Sequence, residues 1–273
     1  MALVAVLWVL AALASVALIL AQQLQLETQR RQSQADGVRA QAQAQAALVH
    51  LMASGVLDAA WPEPPVRIWR LVWPDARVIV RMHSAADAID LNHAPRDLIA
   101  AAFRYAGGLD ELQARRWADA IVDERERRRA ASGNSQEGLS PYQSVSDLLA
   151  YPGLPFDLWL RVESTLTVDS NQPTVDPWAA RPAVLWVLAG GDAARAESWL
   201  AARAQVGQPD WSVIPAAWRG LPGTDRVILE AEVSHASGPV LRLRWLLARA
   251  FGGSDRLSWK ILRQTVRNVA SPG

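Results

Sequence analysis

The sequence contains no cysteine, which removes disulfide bridges, thiolate metal sites and cysteine nucleophiles together. This absence does not fix the compartment, because an extracytoplasmic protein can do without cysteine. Lysine occurs once, at Lys260, so positive charge is carried almost wholly by arginine. There is no excess of either sign: 28 basic residues face 27 acidic ones, for a net charge of +1. Binding to duplex nucleic acid neutralises several phosphates, and a near-neutral chain is poorly built for that. The four histidines, His50, His83, His93 and His235, share no metal-ligand spacing, and no Walker, GxSxG or GxGxxG motif is present. No nucleophile and base can be named, so the chain reads as non-enzymatic. Phenylalanine and tyrosine are scarce, at three each, and no charge at all precedes Glu27.

What is present is a chain of 273 residues that is 51% hydrophobic, enough for an ordinary core. Its first 21 residues, MALVAVLWVLAALASVALILA, hold Ser15 as the sole polar side chain and neither glycine nor proline. As a helix this run covers about 30 Å, the hydrocarbon thickness of a bilayer. A cleaved secretory signal is the alternative, but the basic leader region and the small-residue cleavage site it needs are missing. Residues 1–26 are read as a transmembrane stem. Arg30 and Arg31 follow it, which by the positive-inside rule would leave the body in the cytoplasm. That conflict disappears if a short basic leader once preceded Met1.

Residues 27–94 read as an amphipathic helix and the first strands. Val38, Ala42, Ala46, Val49, Ala53 and Val56 recur every three or four positions and are predicted to face the fold. After the stop Trp61-Pro62-Glu63-Pro64-Pro65 come two β-rich runs, VRIWRLV and RVIVRM, around a Trp73-Pro74-Asp75 turn. Residues 95–205 read as an inserted all-helical domain, with Ser144 and Asp147 spaced as a capping box. Residues 206–273 supply a Pro/Gly/Trp-rich link and three alternating strands, with Val227, Leu229, Ala231 and Val233 on one face of the first. The fold class is therefore α+β: a long N-terminal helix on an antiparallel sheet, with a large all-α domain inserted between strands.

Candidate sites are few. Glu230 and Glu232 share a strand face and could imitate a catalytic pair, but the alternation makes that face the solvated one. Asp169, Asn171 and Asp176 lie in one loop and could ligate calcium; the alternative is that they bond their own turns. The run DAIVDERERRR (Asp119 to Arg129) balances its charges at helical spacing and reads as a solvated helix. LLAYPGLPFDLWL resembles a helix-hairpin-helix, so a membrane-anchored nucleic-acid receptor is the alternative function, opposed by the charge balance. Of 13 tryptophans, Trp211 and Trp218 fall in the link and are the candidates for a partner surface.

Four segments taken in order carry a family resemblance: the stem ALVAVLWVLAALASVAL, then AIDLNHAPRDLI, SVSDLLAYPGL and the ending RLSWKILRQ. Together they resemble the K-type minor pseudopilins of bacterial type II secretion systems. A further family motif is eroded here to PTVDPWAARPAVL. The resemblance implies a pilin-like fold and a single-pass protein of the bacterial inner membrane with its C-terminal body in the periplasm. It implies a leader removed by a prepilin peptidase, with Met1 as the first mature, N-methylated residue. Position 5 is then Ala5, where most of the wider family carries glutamate. The implied partners are the I- and J-type minor pseudopilins and the major pseudopilin, with no nucleic acid and no catalytic cofactor. The implied role is at the tip of a periplasmic pseudopilus, priming its assembly for protein export across the outer membrane.

Overall fold

A computed structural model describes residues 22–23, 27, 34–59, 66–131, 140–205, 207, 209–221, 225–235, 240–250 and 258–269. Residues 1–21 of the stem, with Met1 and Ala5, lie outside the described residues, as do the Trp61 to Pro65 stop and the Gly252 to Asp255 turn. Among the described residues no helix is long and apolar enough to cross a membrane.

Residues 34–53 form helix α1, followed by the single turn α2 (Val56–Ala59). Strands β1 (Val66–Val72) and β2 (Arg77–Ser84) form the expected hairpin. The last three strands are β5 (Arg226–Ser234), β6 (Val240–Ala250) and β7 (Ser258–Val269), all antiparallel as their alternation predicts. They complete one sheet in the order β1-β2-β5-β6-β7, in which Ser84 of β2 lies opposite Val227 of β5. Everything between those two residues in the chain is therefore accommodated at one junction of adjacent strands. The result is a mixed fold of helices and an antiparallel sheet.

Helix α1 covers the sheet, but with the opposite face from the one its valines predict. Ala40, Ala44, Ala47, Leu48 and Leu51 are buried against Val78, Val80, Leu229, Ala231, Leu243 and Trp245. Val38 is 71% and Val49 54% exposed, and Ala42, Ala46, Ala53 and Val56 are exposed beside them. At about 100° per residue the two sets lie on opposite sides of the helix. The physical reason is size. Alanines at 40, 44 and 47 let the helix settle close to the sheet, while Leu48 and Leu51 bury more apolar area than valines could.

Between β2 and β5 lie helices α3 (Arg96–Ala101), α4 (Glu111–Ala131), α5 (Phe156–Val162), α6 (Pro182–Leu188) and α7 (Ala193–Ala204). The block has its own core around Leu98, Phe103, Ile121, Tyr142, Leu166, Leu185 and Trp199. It is not wholly helical. The strands β3 (Ile89–Asp90) and β4 (Leu166–Thr167) pair in parallel inside it, where the sequence reading continues a helix through Leu166. Nor does its core begin at Pro95, since Ala88, Ile89, Leu91 and Ala94 belong to it. The Ser144–Asp147 capping box forms as expected, on a 3-10 helix (Val145–Ala150). A π-turn over Ala102–Ala106 ends at Gly107, where an added Cβ would lie 2.3 Å from the Phe103 carbonyl oxygen, so only glycine fits.

Candidate functional site

The AIDLNHAP motif is the polar centre of the helical block. The Asp90 side chain, at the end of β3, has no exposed area. Its Oδ1 accepts from the Asn92 backbone N–H at 2.8 Å and faces His93 Nδ1 at 3.3 Å. Its Oδ2 accepts from Ser170 Oγ at 2.8 Å and the Asn171 N–H at 2.9 Å. Asn92 donates Nδ2–H to the Tyr142 carbonyl at 2.9 Å and accepts the Tyr142 N–H on Oδ1 at 2.8 Å, imitating a strand pairing. Together the two side chains tie the motif loop to the segments around Tyr142 and Ser170, and the loop's N–H groups from Leu91 to Ala94 all find partners within the protein.

Helix α4 closes the motif from outside. Arg125 is buried and donates to the Leu91 and Ala94 carbonyls, at 3.4 and 2.9 Å. Arg129 donates to the Asn92 carbonyl, and Arg128 to that of Pro141 at 3.1 Å while lying over the Tyr142 ring. The run Asp119 to Arg129 is thus only partly the solvated helix its charges suggest. Arg127 and Arg128 pair with Glu124, and Arg129 with Glu126, as the spacing predicts. Carbonyls of the loop take the remaining donors, which charge counting cannot foresee.

Two further clusters fasten the block to the sheet. His83 on β2 and Arg181 before α6 both reach Asp87 Oδ2, at 2.9 Å each. Burial pushes the Asp87 carboxyl upward, but the hydrogen bonds and charges of His83 and Arg181 outweigh it, and its pKa lies below the ordinary carboxylate value. A depressed folded pKa contributes stability above the unfolded value near 4, lost as pH falls through the folded value. Thermal stability should therefore drop steeply below about pH 4, and Asp87→Asn should flatten that acid limb. Circular dichroism melts between pH 2 and 7 measure this; an unchanged acid slope in the variant would count against the assignment.

At the second fastening, Asp169 meets Arg244 of β6 at 2.9 Å and Arg263 of β7, while its carbonyl accepts from Arg226 of β5 at 3.2 Å. Arg263 also donates to the Gln143 carbonyl at 2.8 Å. Burial pulls the pKa of Arg226, Arg244 and Arg263 downward.

Each calcium candidate has partners within the protein. Guanidinium groups occupy both Asp169 oxygens, the Asn171 N–H faces Asp90, and Asp176 Oδ1 accepts the Trp178 N–H at 2.9 Å. Among the described residues no group of three His, Asp or Glu side chains comes together. Glu230 and Glu232 are half-buried rather than fully solvated: Glu232 bridges Arg81 and Arg242 at 3.0 Å each, and Glu230 faces Arg244 at 3.5 Å.

Trp211 and Trp218 sit partly buried on the core of the helical block, Trp211 edge-on to Trp199 with centroids 5.1 Å apart. The Trp218 carbonyl accepts the Val175 N–H at 2.9 Å, so this stretch of the link folds back onto the block. The sequence alone missed Asp87, Arg125 and Arg181. Of the decisive residues, Asp90 and Asn92 were visible only as letters of a motif.

A helix on a five-stranded antiparallel sheet, with a helical block fastened at one strand junction, defines the class of fold. No known protein family matches the chain by sequence, and no curated protein does. Among solved structures, the chain is similar to one from the GspK-GspI-GspJ complex of the enterotoxigenic Escherichia coli type 2 secretion system. The match covers 90% of this chain and 99% of that one, at a TM-score of 0.49 and 12% identity.

Proposed function

We propose that this protein is a K-type minor pseudopilin, a non-catalytic assembly subunit of a type II secretion system. Residues 1–26 anchor it in the inner membrane, and its body works in the periplasm at the tip of the pseudopilus, priming assembly. The observation that carries this reading is the two-faced helix α1. One face is sealed onto the sheet, while the other offers Val38, Ala42, Ala46, Val49 and Ala53 along its length. A bare apolar helix face directly after a membrane stem suits side-by-side packing with like subunits. The ordered motifs support the same reading, with AIDLNHAP forming the polar centre of the helical block.

Ala5 supports the tip position. In a bundle of stems within lipid, each N-terminal amine requires a neighbouring carboxylate, since an isolated charge in hydrocarbon costs several kcal/mol. A subunit with Ala5 cannot offer one to a subunit stacked beyond it. The helical block would obstruct further addition on the same side.

The test is reconstitution in detergent of the full chain with I- and J-type minor pseudopilins. The expected result is one three-component peak in size exclusion; separate elution at every tested ratio would refute the proposal.

A further inference from the structure

The helical block carries a second, unassigned surface. An open groove of about 440 Å³ runs between α4 and the turn before α5, lined by Leu109, Trp117, Ala120, Pro155 and Leu158, with Arg116 at its rim. That volume falls in the range of binding sites for single side chains and small ligands. Its walls are stiff: Trp117 stacks on Phe103 at 16° between planes, and Leu158 is anchored in the core. Gly153 also lines the groove, with φ +83°, and an added Cβ there would meet nothing within 4 Å, so bare backbone is accessible at that wall.

The surroundings are apolar where solvent should favour polar side chains. Leu112 is 62% exposed on α4, and Phe156, next to Pro155, is 60% exposed although stacked on Trp159. The charge at the rim is one-sided. Glu111 is shared by Arg104 and Arg115, and Asp119 is taken by Arg96, so Arg116 has no carboxylate partner among the described residues. Tryptophan and arginine side by side, with exposed large apolar neighbours, form the composition that concentrates binding energy at protein interfaces.

We propose that this groove docks an extended segment of a second protein. The segment inserts one large aliphatic or aromatic side chain between Trp117 and Leu158 and sets an aspartate or glutamate, one or two residues away, on Arg116. Charge complementarity selects the acidic residue, and the missing side chain at Gly153 leaves the wall open to a segment lying across it. This inference does not depend on the assembly role and goes beyond it.

The test pans a phage-displayed random heptapeptide library on the full chain in detergent. Enriched peptides should pair a large apolar residue with an acidic one. A synthetic representative should bind about tenfold more weakly to Arg116→Gln, the effect of losing one charge-assisted contact. Arg116→Glu, an exposed change that leaves the core untouched, should shift enrichment to peptides with lysine or arginine. Ala120→Trp, which fills the groove, should abolish capture. Absence of any consensus, a consensus without acidic residues, or one unchanged on Arg116→Glu would overturn the proposal.

Discussion

Asp90→Ala should lower the unfolding free energy by about 3–5 kcal/mol, a large loss for removal of one polar side chain. The carboxylate is wholly buried and holds the Asn92 and Asn171 N–H groups, the Ser170 hydroxyl and the His93 ring. Alanine leaves these donors in a dry cavity without partners, and the cost of an unmet buried donor exceeds the net gain from a made bond. The parallel pair β3 and β4 should loosen first, because the Leu91 N–H to Thr167 carbonyl bond at 2.9 Å extends that ladder beside Asp90. Asp90→Asn keeps one acceptor and should cost less. Urea unfolding with hydrogen exchange reads both effects, and a loss below about 1 kcal/mol for alanine would contradict the hub role.

The second large effect is on assembly rather than stability. Val49→Arg places a charge in the middle of the exposed face of α1, where the wild-type valine is 54% exposed. Stability should change by no more than about 0.5 kcal/mol, as for other surface substitutions. Under the proposed assembly role, association with I- and J-type subunits should nevertheless weaken by about a hundredfold or more, because a desolvated charge without a partner costs several kcal/mol at an interface. Ala44→Arg is the control on the opposite face. Ala44 is fully buried under the sheet, so that change should unfold the protein outright. Unaltered three-component assembly by Val49→Arg would show that the exposed face is not the contact.

The residues that were legible in the sequence, and those that were not, divide along physical lines. Strands β5 and β6 could be read because Val227, Leu229, Ala231 and Val233, then Leu241, Leu243, Trp245 and Leu247, alternate strictly and all face one core. Helix α1 could be read as a helix but not in phase. Its alanines and valines make two apolar stripes, and periodicity cannot choose between them; Leu48, Leu51 and Leu57 were the signal that could have done so. The fastening of the block was hidden for another reason. Arg125, Arg181, Arg244 and Arg263 act through partners far away in sequence, and an arginine satisfied by a distant carbonyl or carboxylate looks no different from a solvated one.

The junction of β2 and β5 also bears on how the chain folds. Arg81 and Glu232 face each other across it at 3.0 Å although they are 151 positions apart. Closing so long a loop before any contact forms is entropically slow, and sheets dominated by distant pairings fold slowly for that reason. The Asp87 and Asp169 fastenings offer a shortcut. Once the helical block has formed, they hold β2 near β5 and β6, so the sheet's central pairing becomes closure of a short loop. Fast collapse of the block followed by slower zipping of the sheet is the order this favours, and Asp169→Ala should slow the second phase while leaving the first unchanged.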